Sequence, residues 1–267
     1  MTEERPVPPG VDPNRPSAAR IYDYAIGGKD NYAVDRQAAE TVFAIAPEMR
    51  SMARQNREFL GRVVRFLAEE AGVRQFLDLG SGLPTQRNVH EVAREVDPAC
   101  RVVYVDHDPI VARYGDALLA TGDGVAFVQA DLRAPDDYLG HPDLTRLIDF
   151  SEPVAVLMVA VLHFVPDEDR PADVVARLRD LMAPGSHLAI SHVTSEFRPE
   201  EIGNIVAVSG KAGAPWVARD RAGIMRFFDG FDVVEPGLVT APEWHPHLAR
   251  PVDPGKMWVY AGLGRRG

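Results

Sequence analysis

The stretch Phe76-Leu77-Asp78-Leu79-Gly80-Ser81-Gly82-Leu83-Pro84-Thr85 constrains this chain more than any other. Val73, Phe76, Leu77 and Leu79 form a short apolar run bounded by glycines, which reads as a buried strand. Asp78, Gly80 and Gly82 then mark a sharp turn, followed by a helical pattern over Asn88–Val96. Two glycines in such a turn permit positive φ and let a ligand approach the backbone. Thr85 occupies the place where the dinucleotide fingerprint requires its third small residue. The turn therefore points to a nucleotide-type ligand without specifying the ordinary dinucleotide fold.

Two later acids narrow the reading. Val102-Val103-Tyr104-Val105 is a second apolar run and ends in Asp106, with His107 beyond it. An acid at that strand tip is placed to accept hydrogen bonds from ribose hydroxyls. A third run, Val125–Val128, leads to Asp131 and Leu132. The glycine turn, the second-strand acid and the third-strand acid, in that order, resemble the class I S-adenosylmethionine-dependent methyltransferases. The resemblance implies that Gly80, Ser81 and Gly82 offer backbone to the amino-acid end of the cofactor, with Asp78 beside them. It implies further that Asp106 and His107 lie at the ribose, and that Asp131 and Leu132 frame the adenine.

The rest of the chain alternates in the same style. Strands are expected at Val154–Leu162, Ser186–Val193, Phe231–Glu235 and Met257–Ala261, with helices over Pro109–Leu119, Arg170–Met182 and Ala222–Phe228 and a less regular stretch at Pro135–Leu147. Alternation of this kind predicts right-handed crossovers and a parallel sheet. No crossover helix is visible in the Pro-rich residues 236–254, so the final strand is expected to run antiparallel. The run Val161-Leu162-His163-Phe164-Val165-Pro166-Asp167 looks like the fourth methyltransferase motif, whose residues line the cofactor and face the substrate, with Ala160 and Val161 expected at the cofactor. His163 has two readings, a general acid–base group or a satisfied histidine under the cofactor. Residues 195–218 interrupt the alternation at the carboxyl edge of the sheet and are read as substrate cover.

Upstream, residues 1–16 hold five prolines and few apolar residues, so a disordered or extended tail is expected. Residues 17–71 read as a helical extension, in which a helix ends at Gly27-Gly28, a second is capped by Asp30 or Asn31 and stopped by Pro47, and a third runs from Glu48 to Ala71. Tyr22, Tyr24, Lys29, Asp30, Asn31 and Tyr32 surround the glycine pair, which is more polar and aromatic density than a connector needs. This segment is read as a lid, with Tyr24 and Asn31 at the cofactor and Tyr24 the second candidate base; the alternative is a packing arm. On the third helix Leu60, Val63, Val64, Leu67 and Ala71 share a face that extends back to Asn56 and Met52. Asn56 on that inward stripe needs a buried partner or faces the cofactor. The adjacent Arg50, Arg54 and Arg57 read as a solvated face.

Composition excludes more than it identifies. The formal charge of −10 opposes the basic surface that nucleic-acid and anionic-lipid partners require. A single cysteine, Cys100, cannot form an intramolecular disulfide. No signal peptide pattern is visible, and the longest apolar run, Val154–Leu162, is far below the ~20 residues of a bilayer span, so a cytoplasmic location is expected. His245-x-His247 lacks a third ligand at zinc-site spacing, and no metal is expected.

Taken with Ala19–Tyr24, Gly27–Tyr32 and Arg54-Gln55-Asn56-Arg57, the motif set is similar nearly end to end to the actinobacterial S-adenosyl methyltransferases formerly catalogued as a domain of unknown function. The resemblance implies a Rossmann-like α/β class I methyltransferase fold, with a mostly parallel seven-stranded sheet and an antiparallel last strand. It divides the chain into a tail (1–16), an extension or lid (17–71) and a cofactor domain (72–267). It implies S-adenosyl-L-methionine as cofactor, and the expected partner is a small-molecule methyl acceptor. The rival readings are a module that binds the cofactor or its product without turnover, a nicotinamide oxidoreductase, and a nucleic-acid methyltransferase.

Overall fold

The computed structural model describes residues 7, 10–84, 87–118, 123–211, 216–245 and 257–267. Thr85, His247, half of the expected tail and much of the 236–254 loop lie outside the described residues. Three helices precede the sheet: α1 (Ala18–Ile26), α2 (Ala33–Ile45) and α3 (Met49–Glu69). Strands and helices then alternate as β1 (Gln75–Leu79), α4 (Val89–Val96), β2 (Arg101–Asp106), α5 (Pro109–Leu118), β3 (Val125–Gln129), α6 (Pro135–Leu139), α7 (Pro142–Leu147), β4 (Ala155–Val159), α8 (Pro171–Leu181) and β5 (His187–Val193). The chain continues through α9 (Pro199–Lys211), α10 (Arg221–Met225), β6 (Asp232–Val233), β7 (Val239–Thr240) and β8 (Val259–Arg265).

The sheet has the order β3-β2-β1-β4-β5-β8-β6, with β7 paired to β8. Its first five strands are mutually parallel, and β8 runs antiparallel to β5. The short β7 makes an eighth strand where the sequence shows only a Pro-rich loop. The strand order reverses between β1 and β4, so their carboxyl ends diverge and open a crevice there. Strand alternation sends Phe76, Val102 and Leu157 into one core with α3 and α4, and Leu77, Val103 and Val156 into another beneath α7 and α8. Burial on both faces accounts for the nearly continuous apolar strands.

Helix α3 buries Met52, Asn56, Leu60, Val63, Val64 and Leu67, the face expected from the sequence, but ends before the exposed Ala71. Helix α2 is capped at Tyr32, not at Asp30 or Asn31, because the Asp35 carboxylate accepts the Tyr32 N–H at 2.8 Å. Residues 195–218 contain the regular helix α9, which packs Ile202 and Ile205 into the core. Residues 10–16, expected in the tail, are instead held against α1. Arg20 donates to Asp35 at 2.7 Å and to the backbone oxygens of Asp12 and Arg15. A guanidinium this buried needs those acceptors, and they draw the chain in. Among the described residues no helix is long and apolar enough to cross a membrane.

Candidate functional site

The β1 turn is shaped by contact on one side and openness on the other. Gly80 has φ +72°, and a Cβ there would stand 2.2 Å from Val161 Cγ2, so glycine alone lets the β1 and β4 turns touch. Gly82 has φ +66° with open space around it, and its N–H donates to Asp106 Oδ2 at 2.9 Å. Ser81 Oγ is buried and has no hydrogen-bond partner among the described residues. Asp78, 5% exposed, likewise has no side-chain partner there. Burial pushes its carboxyl up to about 7, opposed by Arg57 and reinforced by Asp106.

These groups line a cavity of about 670 Å³ at the carboxyl ends of β1, β2, β3 and β4. Asp106, at the end of β2, faces it with both oxygens oriented by backbone donors, Gly82 N at 2.9 Å and Asp108 N at 3.0 Å. Burial raises the Asp106 pKa, while those two donors stabilise its ionised form. His107 lines the same rim and is largely exposed. Asp131 and Leu132 stand at the far end of the cavity. Both Asp131 oxygens are taken by Arg133, whose Nε lies 2.9 Å from each, and Arg133 also reaches Asp169 at 2.6 Å. These contacts hold the Asp131 carboxyl below the usual carboxylate range.

The lining also includes Ala160 and Val161, Asn56 from α3, and Ala19, Tyr22 and Asp23 from α1. Residues 10–17 contribute Gly10, Val11, Asp12 and Arg15 to the rim, and Ser17 Oγ donates to Asp108. Asn56, Asp78, Gly80, Ser81, Gly82, Asp106, His107, Asp131, Leu132, Ala160 and Val161 thus meet in one cavity, as a shared site requires.

Tyr24, Asn31 and His163 do not line it. Tyr24 lies two positions beyond Tyr22, about 200° around the helix, and its hydroxyl donates to Glu40 at 2.6 Å on the outer face. Asn31 donates to Asp23 Oδ2 at 2.8 Å and accepts from Arg36. The glycine pair is a packed turn: Asp23 also accepts from Asp30 N, and a Cβ on Gly28 would stand 1.9 Å from Asp23 Oδ1. His163 sits in the tight turn after β4, which presents Val161 and Phe164 to the cavity and packs the imidazole against Trp216 and His192. Burial lowers its pKa well below the usual histidine value, and His192 and Arg219 lower it further. It is a buried packing residue behind the cavity lining, and its Nδ1 has no hydrogen-bond partner among the described residues.

Sequence reasoning did not place Tyr22, Arg57 or Arg133 in the site, and all three line the cavity. Helical spacing offers a signal for Tyr22, which shares a face with Ala19 and Asp23. Arg57 is not the solvated residue expected: it reaches Asn88 Oδ1 at 3.3 Å, lines the cavity, and keeps a buried Nε without a partner among the described residues.

A parallel sheet with one reversed strand, a glycine turn after β1 and acids ending β2 and following β3 define the class I methyltransferases. A methyltransferase structure from Anabaena variabilis shares this fold, with a TM-score of 0.51 at 13% identity over 77% of this chain and 84% of that one. The family model described as S-adenosyl methyltransferase matches residues 4–267, and this chain belongs to that family of S-adenosylmethionine-dependent enzymes. A DUF574 family protein from Streptomyces avermitilis is 40% identical, with 95% of this chain and 98% of that one covered and a TM-score of 0.91. A methyltransferase-like structure from Thermobifida fusca is 44% identical over 97% and 98%, also with a TM-score of 0.91. None of the curated proteins matches the chain.

Proposed function

We propose that this methyltransferase moves the methyl group to a small-molecule acceptor by in-line attack. The observation that carries the reading is the set of bare polar groups at the β1 turn. The Asp78 carboxylate, Ser81 Oγ and Arg57 Nε all line the cavity without side-chain partners of their own among the described residues. Buried groups of this kind cost ~1–3 kcal/mol each when unpaired. An α-amino-acid zwitterion supplies the missing partners, its ammonium for Asp78 and Ser81 and its carboxylate for Arg57. Asp106, already oriented, accepts from ribose hydroxyls with its remaining lone pairs. The residues present therefore fit S-adenosylmethionine.

When bound, the cofactor supplies an electrophilic methyl on a sulfonium. The chain's own part is to orient, to enclose and to exclude water. Ala160, Val161 and Phe164 form an apolar wall, while Ala19 and Tyr22 face it from α1. A cavity of about 670 Å³ lies within the range of small-ligand sites, and the net charge of −10 disfavours a nucleic-acid acceptor. Neither His163 nor Tyr24 lines the cavity, so no proton transfer is assigned to them. The acceptor presents an available lone pair and releases any proton to solvent.

The test uses methyl-labelled S-adenosylmethionine with the purified protein and a fractionated cell extract. Label is expected in the low-mass fraction, and only when the protein is present. Label confined to protein or nucleic acid overturns the small-molecule reading. Binding of the cofactor with no transfer to any fraction favours the binding module.

A further inference from the structure

Behind the cavity wall four hydrogen bonds run in series. Ala160 N donates to Ser191 Oγ at 2.9 Å, sharing its proton with the Ser191 carbonyl at 3.2 Å, and Ser191 Oγ donates to Asn56 Oδ1 at 2.5 Å. Asn56 Nδ2 donates to Tyr22 Oη at 3.0 Å, and Tyr22 Oη donates to the Ala53 carbonyl at 2.9 Å. The series begins at a group that can only donate and ends at one that can only accept, so its direction is set throughout. Reversing the Asn56 amide would give Ser191 Oγ a second donor and turn the Tyr22 proton away from Ala53. The direction also orients Asn56, which seeks partners as an inward polar residue on an apolar face.

What the series holds is unusual. Ala160 has φ +57°, a left-handed conformation that a non-glycine residue adopts only where its surroundings enforce it. The next residue, Val161, is the one packed against Gly80, so the Ala160 backbone sets the floor beneath the glycine turn. At the other end, Tyr22 belongs to α1, the helix that walls the cavity. Ser191 itself is fully buried in β5 and does not line the cavity. Nothing about Ser191 is explained by direct ligand contact.

We propose that Tyr22, Asn56 and Ser191 form a positioning relay that couples the docking of α1 to the shape of the cofactor floor at Ala160–Val161. The proposal rests on the cofactor reading of this cavity and deepens it: cofactor affinity depends on a serine the cofactor does not touch. With α1 docked, Tyr22 completes the series and Ser191 keeps its hydroxyl proton directed to Asn56, leaving its lone pairs for Ala160. With α1 displaced, Asn56 loses one partner and the hold on Ala160 slackens. The extension is then a lid that reports its closure to the Ala160–Val161 floor.

The relay is tested by calorimetric binding of S-adenosylhomocysteine to wild type, Tyr22→Phe, Ser191→Ala and the double variant. Each single variant is expected to bind about 3–10-fold more weakly, and the double variant no more weakly than the worse single, because both break one series. Selective labelling of alanine amides gives a second readout, in which Tyr22→Phe is expected to shift the Ala160 N–H resonance although the two residues do not touch. Tyr22→Phe removes a single hydroxyl and keeps the ring, so the resonance arm does not depend on Ser191→Ala folding. Affinity of Ser191→Ala within twofold of wild type, single effects that multiply, or an Ala160 resonance unmoved in Tyr22→Phe overturns the relay. Wild-type protein that binds no S-adenosylhomocysteine overturns the cofactor reading and the relay's coupling to it together, whereas the three results above overturn the relay alone.

Discussion

Asp106 and Asp131 end or follow neighbouring strands and face one cavity, and each accepts a backbone N–H from the residue two positions on, yet their remaining donors differ. Asp106 is oriented by the backbone N–H groups of Gly82 and Asp108, which cannot leave without moving the turn itself. Asp131 accepts one backbone N–H, from Arg133 at 2.9 Å, and is otherwise held by the Arg133 guanidinium, a partly exposed group shared with Asp169 that occupies both of its oxygens. A carboxylate fixed by backbone is preorganised for a ligand at no further ordering cost. A carboxylate paired with an exposed arginine is weakly held, since such pairs are screened by solvent, and its lone pairs face a competing cation. The Asp106 end of the cavity, proposed above for the ribose, is therefore rigid, and the Asp131 end is latched by a side chain that a ligand must share or displace.

The largest expected effect falls on the rigid end. Asp106→Ala leaves ribose hydroxyls and two backbone donors unpaired, costing ~1–3 kcal/mol and about 5–150-fold in S-adenosylhomocysteine affinity. Calorimetry showing unchanged affinity in the folded variant removes Asp106 from the site.

Next in size is the pH dependence of binding, which extends the comparison to a third carboxylate, Asp78, without a fixed donor among the described residues. Asp78 is raised to about 7, so below that pH it is largely protonated in the unliganded protein. A ligand ammonium favours the ionised form, and affinity is expected to rise with pH, by up to about tenfold per unit, and to level off above pH 7. The stability linkage has the opposite sign. The folded state binds this proton more tightly than the unfolded chain, so the contribution is fully present below about pH 4 and is lost as pH rises through about 7. Asp78→Asn is expected to flatten both profiles. A wild-type affinity that is level from pH 5.5 to 7.5 shows that no cation meets Asp78.

The smallest effect is expected at the latched end. Asp131→Ala should weaken S-adenosylhomocysteine binding by less than about fivefold, because the carboxylate is already satisfied by Arg133. A loss as large as that of Asp106→Ala breaks the comparison and shows that the ligand displaces Arg133.

Much of the fold was legible because its signals are local. Apolar runs ending in Asp106 and leading to Asp131, the glycine pair after β1 and the missing crossover before β8 all follow from turn chemistry and short-range periodicity. Helix α9 was less legible, since Gly203 and Gly210 interrupt its pattern and its burial comes from packing of Ile202 and Ile205. The site residues divide along the same line. Those expected on strand ends and in the turn line one cavity, because strand topology by itself brings them to one edge.

Which side of a helix or turn meets the cavity was a different matter. Tyr22 and Tyr24 are equivalent as sequence, and only the docking of α1 against α2 and α3 makes one a wall residue and the other a surface partner of Glu40. His163 stands at the expected strand end, but the tight turn after β4 aims it at Trp216 and His192. Asn56 announced a buried partner without naming it, and Ser191 lies 135 residues away. The sequence by itself determined the order of strands, the turn that admits a nucleotide-type ligand and the carboxylates at its rim. The tertiary structure alone decided which side chains face that ligand, since orientation depends on contacts between elements remote in the chain, and no local pattern records them.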